Sequence, residues 1–114
     1  MKLTDSNVTI MTNDMNKSIS FYESLGLTLK QRWGDNYAMI SGPGITIGIH
    51  PNDGETLSSG SISIGLMIDD FDEAKKLLTK NGISFKAEDD GNSGNYLHFK
   101  DPNGTVLYFV LPKW

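Results

Sequence analysis

Gly60-Ser61-Ile62-Ser63-Ile64-Gly65-Leu66 is the stretch whose reading decides the fold. Ile62, Ile64 and Leu66 alternate with Ser61, Ser63 and Gly65, so a strand here has one aliphatic face and one small, polar face. The first half of the chain answers it at a shift of 56 positions, the distance from Gly26 to Gly82. At that shift Asn7-Val8-Thr9-Ile10 falls on Ser63-Ile64-Gly65-Leu66, and Asp14 falls on Asp70. A duplicated unit is the reading that follows.

Working outward, each half reads as a strand, a helix and three further strands. In the first, Val8 and Ile10 alternate with Asn7, Thr9 and Met11. Asn13-Asp14 offers an N-cap, and Met15, Ile19, Tyr22 and Leu25 form a helical stripe that Gly26 ends. Strands are expected at 27–33, 37–40 and 45–50, separated by Gly34-Asp35-Asn36 and Ser41-Gly42-Pro43-Gly44. The segment from Pro51 to Gly60 has no periodic pattern and is the natural joint. In the second half, a strand over 61–68 leads to Asp70 with Glu73 three residues on, which resembles a capping box. Phe71, Ala74, Leu77 and Leu78 give the helix stripe, Lys75, Lys76 and Lys80 sit toward its negative end, and Asn81-Gly82 closes it. Strands are expected at 83–86, 96–99 and 105–111, with a polar loop over 87–94 and a tight turn at Asp101-Pro102-Asn103-Gly104.

Alternation sorts the side chains of such strands onto two faces. One set is Val8, Ile10, Ile45, Ile47, Ile49, Ile62, Ile64, Leu66, Ile68, Leu97, Phe99, Leu107, Phe109 and Leu111, all large and apolar, and expected beneath the helices. The other set holds Asn7, Thr9, Met11, Thr46, Gly48, His50, Ser61, Ser63, Gly65, Met67, Tyr96, His98, Val106, Tyr108 and Val110. A solvated sheet surface carries Ser and Thr in just this way. Two features lean toward a concave pocket or a subunit interface instead. This face reads as free of Lys, Arg, Asp and Glu, and it gathers methionines, tyrosines and both histidines.

With 114 residues, the chain is long enough for a single domain with a real core, spanning 1–114. The absence of cysteine excludes disulfides, thiolate metal sites and cysteine nucleophiles, and suits a cytoplasmic setting. No secretory signal is visible, and no stretch approaches the ~18 apolar residues of a membrane span. A formal charge of −4 with scattered acids gives no basic face for nucleic acid.

Asp14-Met15-Asn16-Lys17-Ser18 running into Phe21-Tyr22-Glu23-Ser24-Leu25-Gly26-Leu27 resembles the opening of the vicinal-oxygen-chelate superfamily, which includes glyoxalase I, extradiol dioxygenases, fosfomycin-modifying enzymes and bleomycin-resistance proteins. Phe99-Lys100-Asp101-Pro102-Asn103-Gly104 before a hydrophobic strand resembles its other hallmark. The resemblance covers the whole chain. It implies an α+β fold of two βαβββ modules, about 1–52 and 61–114, forming a curved mixed sheet around a cup with helices outside. A homodimer is implied as well. Metal enzymes of the family place ligands at positions that correspond to Asn7, Gly48, Ser63 and Tyr108. None of these is an ordinary ligand for a catalytic divalent ion.

The expectation is therefore a metal-free protein, needing no cofactor, that sequesters an aromatic or cationic small molecule. Its ligand-binding residues would be Asn7, Thr9, Met11, Tyr37, Met39, Gly48, His50, Ser63, Met67, Tyr96, His98 and Tyr108. The alternative is a metal-dependent lyase or dioxygenase with an atypical site using His50 and His98. A general-base role for either histidine lacks a carboxylate orienter nearby in sequence. The register of 27–33, and so the direction of Trp33, stays open, and the large rings, Trp114 included, could as well fill a core or an interface.

Overall fold

Strands and helices follow one another in a repeated order. The first half gives β1 (Val8–Thr12), α1 (Met15–Ser24), β2 (Thr28–Trp33), β3 (Tyr37–Gly42) and β4 (Ile45–Pro51). The second gives β5 (Ser63–Met67), α2 (Phe71–Lys80), β6 (Lys86–Asp90), β7 (Gly94–Lys100) and β8 (Val106–Pro112). This computed structural model describes residues 1, 2, 4, 7–52, 62–91 and 93–113. Gly60 and Ser61 at the head of the deciding stretch, most of the expected joint, and Trp114 lie outside the described residues. The chain divides into two units, Met1–Leu57 and Ser58–Trp114. Each is a βαβββ module of the α+β class, as its sequence pattern predicts.

Both sheets are mixed and share one topology. The first has the order β1-β4-β3-β2 and the second β5-β8-β7-β6. β1 runs parallel to β4 and β5 parallel to β8, while the remaining pairs are antiparallel. A parallel pair needs a long crossover, and the helix with two strands supplies it in each unit.

Each helix is anchored where a side-chain oxygen meets free amides. Asp14 Oδ1 accepts from the Lys17 amide at 3.1 Å, and Asp70 Oδ1 accepts from the Glu73 amide at 3.0 Å. Gly26 and Gly82 follow the helices with φ of +103° and +69°, a region that L side chains rarely adopt. The inward stripe of α1 buries Met15, Ile19 and Tyr22 over Ile10, Ala38, Ile40, Ile47 and Ile49. Ser18 is buried in that stripe too, where its hydroxyl pairs with Thr12 Oγ1 at 2.6 Å, so neither polar group is left unsatisfied. In the second unit Ala74 and Leu78 of α2 are buried with Ile64, Leu97, Phe99, Leu107 and Phe109. The Phe99 and Phe109 rings meet at 5.0 Å. Each such side chain contributes roughly 1.5–3 kcal/mol on burial.

Two expectations need correction, and one open point gains an answer. Val8 and Ile62 are not sheltered; they are 37% and 49% exposed, Val8 as the first residue of the edge strand β1 and Ile62 just before the edge strand β5. The strand expected at 83–86 instead spans Lys86–Asp90, sharing only Lys86 with it and otherwise running through the stretch read as a loop. Every residue of it is exposed, so no apolar alternation marks it; pairing with β7 makes it a strand. The open point is β2, which carries a register shift between Leu29 and Gln31. Leu29 lies opposite Ile40, whereas Gln31 lies opposite Met39 and Trp33 opposite Tyr37. The extra residue, Lys30, reverses the alternation and sends Trp33 to the face away from α1.

Candidate functional site

The face of each sheet away from its helix, the open face, carries the candidate residues. In the first unit, β4 places Gly48 opposite Thr9 on β1 and Met39 on β3. Gly48 has no side chain, and Tyr37 fills that space. A Cβ built on Gly48 would stand 2.7 Å from Tyr37 Cζ and 2.9 Å from Thr9 Oγ1, closer than carbon atoms tolerate. The Tyr37 hydroxyl reaches across to Thr9 Oγ1 at 3.2 Å. Trp33 lies against Tyr37 at 5.8 Å between ring centres, and His50 meets Tyr37 edge-on at 6.3 Å. His50 Nδ1 lies 2.7 Å from the Pro51 carbonyl oxygen. A carbonyl only accepts, so Nδ1 carries the proton and Nε2 is left as an acceptor.

The open face of the second unit mirrors this with different parts. Tyr108 on β8 lies over Gly65 on β5, its direct register partner; a Cβ on Gly65 would stand 2.7 Å from Tyr108 Cε2. Tyr96 stacks on His98 at 5.7 Å with an interplanar angle of 11°. Tyr108 tilts against both, at 5.7 Å from Tyr96 and 6.2 Å from His98. The Tyr96 hydroxyl pairs with Ser93 Oγ at 2.9 Å. Glu88 Oε1 accepts from His98 Nε2 at 3.1 Å.

The candidates thus gather in two sets. Thr9, Tyr37, Met39, Gly48 and His50 belong to the first unit, and Tyr96, His98 and Tyr108 to the second. Met11 pairs with His50 in register, whereas Asn7 stands before β1 and is exposed. Ser63 and Met67 are exposed at the two ends of β5, Met67 at 69%. The open face is not free of charge, contrary to its sequence reading. Lys86 lies opposite His98, and Glu88 opposite Tyr96. Among the residues on these faces that escaped the sequence reading are Gln31, Trp33, Lys86 and Glu88. A bulge hid the first two, and a wholly exposed edge strand hid the others.

The positions that correspond to metal ligands do not fit an ion. Gly48 offers no donor, and the Tyr37 ring occupies the space above it. Among the described residues no group of three or more His, Cys, Asp or Glu side chains could hold a metal ion. A cavity of about 350 Å³ opens beside the first turn of α1, lined by Thr12, Asn13, Asp14, Met15, Asn16, Asp35, Pro51 and Asn52, with none of the candidate residues among them. Arg32 links two of these residues by donating to Asn16 Oδ1 at 2.7 Å and to Asp35 Oδ1 at 2.9 Å. Among the described residues no helix is long and apolar enough to cross a membrane.

Residues 6–109 match the family model for the Glyoxalase/Bleomycin resistance protein/Dioxygenase superfamily. An uncharacterized protein of Mycolicibacterium smegmatis is 28% identical, over 93% of each chain. Among solved structures, the genomically encoded fosfomycin resistance protein FosX of Listeria monocytogenes superposes with a TM-score of 0.81 at 17% identity, over 97% of this chain and 94% of that one. A bleomycin-binding protein complexed with bleomycin gives 0.73 at 19% identity, over 96% and 98%. At such identities the two structures speak for the fold alone.

Proposed function

Given that the chain belongs to the Glyoxalase/Bleomycin resistance protein/Dioxygenase superfamily, we propose that it is a metal-free binding protein that sequesters a planar aromatic or cationic small molecule on the open faces of its sheets. One observation carries this reading: Tyr37 lies across Gly48, so an aromatic surface stands where a ligand-bearing side chain would be needed. Rings are concentrated on both open faces, and a π-face binds planar and cationic groups alike. Thr9, His50 and His98 supply orienting polar groups, and Met11, Met39 and Met67 an adaptable apolar wall. Asn7 on the first unit, and Ser63, Tyr96 and Tyr108 on the second, complete the proposed binding faces. The bleomycin-binding protein that shares this fold offers an analogy for such a role.

Trp33 against Tyr37 provides the readout. Titration with a panel of planar antibiotics, bleomycin included, should quench tryptophan fluorescence saturably, and W33F should lose most of that signal. A flat response to every compound would refute the binding role. Stoichiometric nickel, zinc, iron or manganese in protein purified without a tag would refute the metal-free part and favour the reading with His50 and His98 as ligands. In this proposal residues 1–114 act together as one cytoplasmic domain, and two chains pair as a homodimer; light scattering giving a monomer mass would remove the dimer.

A further inference from the structure

We propose that His98 and Glu88 form a general-base site on the open face of the second sheet, suited to taking a proton from a planar carbon acid without help from a metal. Ten residues separate the two in sequence, and the β6–β7 hairpin brings them together. Glu88 Oε1 stands 3.1 Å from His98 Nε2. A carboxylate only accepts, so Nε2 keeps its proton and Nδ1 presents a lone pair. The carboxylate also stabilises the imidazolium that forms when Nδ1 takes up a proton. The ring plane is held as well, by Tyr96 stacked at 5.7 Å and Tyr108 at 6.2 Å. With 40% of its side chain exposed, His98 remains open to a substrate.

The groups facing this imidazole are Lys86 and Glu88 from β6, Tyr96 from its own strand, and Tyr108 from β8. An ordinary surface ion pair has free rotors and no shaped surroundings. Here the Glu88 carboxylate selects one tautomer of the imidazole, and aromatic rings stand beside it to receive a flat substrate. His50 differs: its Nδ1 meets a neutral carbonyl, which orients the ring but stabilises a positive charge less than a carboxylate does.

The probe is 5-nitrobenzisoxazole, a flat molecule with one acidic C–H. Nδ1 takes that proton, and the C–H electron pair becomes the third bond of a nitrile as the N–O bond breaks. The oxygen leaves as a coloured phenolate, and the imidazolium returns its proton to water. No oxidant or reductant enters. The kcat/KM of the wild-type protein should exceed the rate constant of free imidazole by roughly a hundredfold, the lower end of what a positioned base supplies. H98Q should fall to the free-imidazole level, and E88Q, which keeps shape but not charge, should lose roughly tenfold. Glu88 acts through His98 as a positioning residue. Long-range proton–nitrogen spectra should therefore show the Nε2–H tautomer in wild type and a mixture in E88Q.

A wild-type rate no better than imidazole, full activity in H98Q, or an unchanged tautomer in E88Q would each overturn the assignment. The base chemistry goes beyond the binding role and stands apart from it. A silent ligand panel leaves this rate prediction intact, and a silent rate leaves the panel intact.

Discussion

Gly48 and Gly65 each lie beneath a tyrosine, but they reach that state from different strands. In the first unit the glycine is on β4, an inner strand, and the ring comes from β3 beside it as Tyr37. In the second the glycine is on the edge strand β5, and its direct partner on β8, Tyr108, supplies the ring. The register makes the exchange plain: Thr9 faces Gly48, and Gly65 faces Tyr108. A ring needs a neighbour without a Cβ if it is to lie flat on a sheet, and either member of the cross-strand pair can give way. The two halves have kept an aromatic floor while trading which strand provides it. The surroundings differ in consequence. Tyr37 is flanked by Trp33 and a histidine tied to backbone, and Tyr108 by Tyr96 and a histidine tied to a carboxylate.

The deepest test of equivalence lies under the helices. Ile47 and Leu107 hold the same place in the two sheets, opposite Val8 and Ile64, and both are fully buried. Ile47→Ala and Leu107→Ala should each cost about 2–5 kcal/mol in urea unfolding. Similar losses would sharpen the comparison, and a loss confined to one unit would break it.

The glycines should separate the units. Gly48 is buried, so Gly48→Val should cost about 1–3 kcal/mol as Tyr37 is driven from its seat. Gly65 is exposed, so Gly65→Val should cost less, roughly 1 kcal/mol or below. Equal losses would mean that both rings are held alike. The smallest effect concerns the caps. Asp14→Ala and Asp70→Ala should each cost about 1 kcal/mol. α2 has Asp72 and Glu73 in its first turn and α1 has no acid there, so the loss at Asp14 should be the larger of the two. Thermal melts of the two variants side by side would show equal losses if the first-turn acids contribute nothing.

What could be read from sequence was whatever repeats with a period or stops the chain. Ile45, Ile47 and Ile49 mark their strand because one side of it is buried, and Asp14, Gly26, Asp70 and Gly82 mark helix ends because backbone amides and φ demand them. β6 left no such mark: Lys86-Ala87-Glu88-Asp89-Asp90 buries nothing, and hydrogen bonds from β7 alone define it. Glu88 was lost from the site with it, and His98 with its orienter could not be read from spacing. Trp33 was unreadable for another reason. Counting alternate residues from Leu29 puts Trp33 under the helix, and a bulge that no residue pattern announces turns it over.

That bulge bears on how the protein can change over generations. β2 holds one residue more than its partner strand requires, and the surplus residue, Lys30, is exposed. Among the described strands only this one shows a shifted register. Deleting Lys30 would restore an even ladder and still leave Gln31 beside Met39 and Trp33 beside Tyr37. Elsewhere in these sheets the loss of a single codon would send every following side chain to the wrong side. At this point descendants of the gene can shorten the strand and inherit the same arrangement of rings.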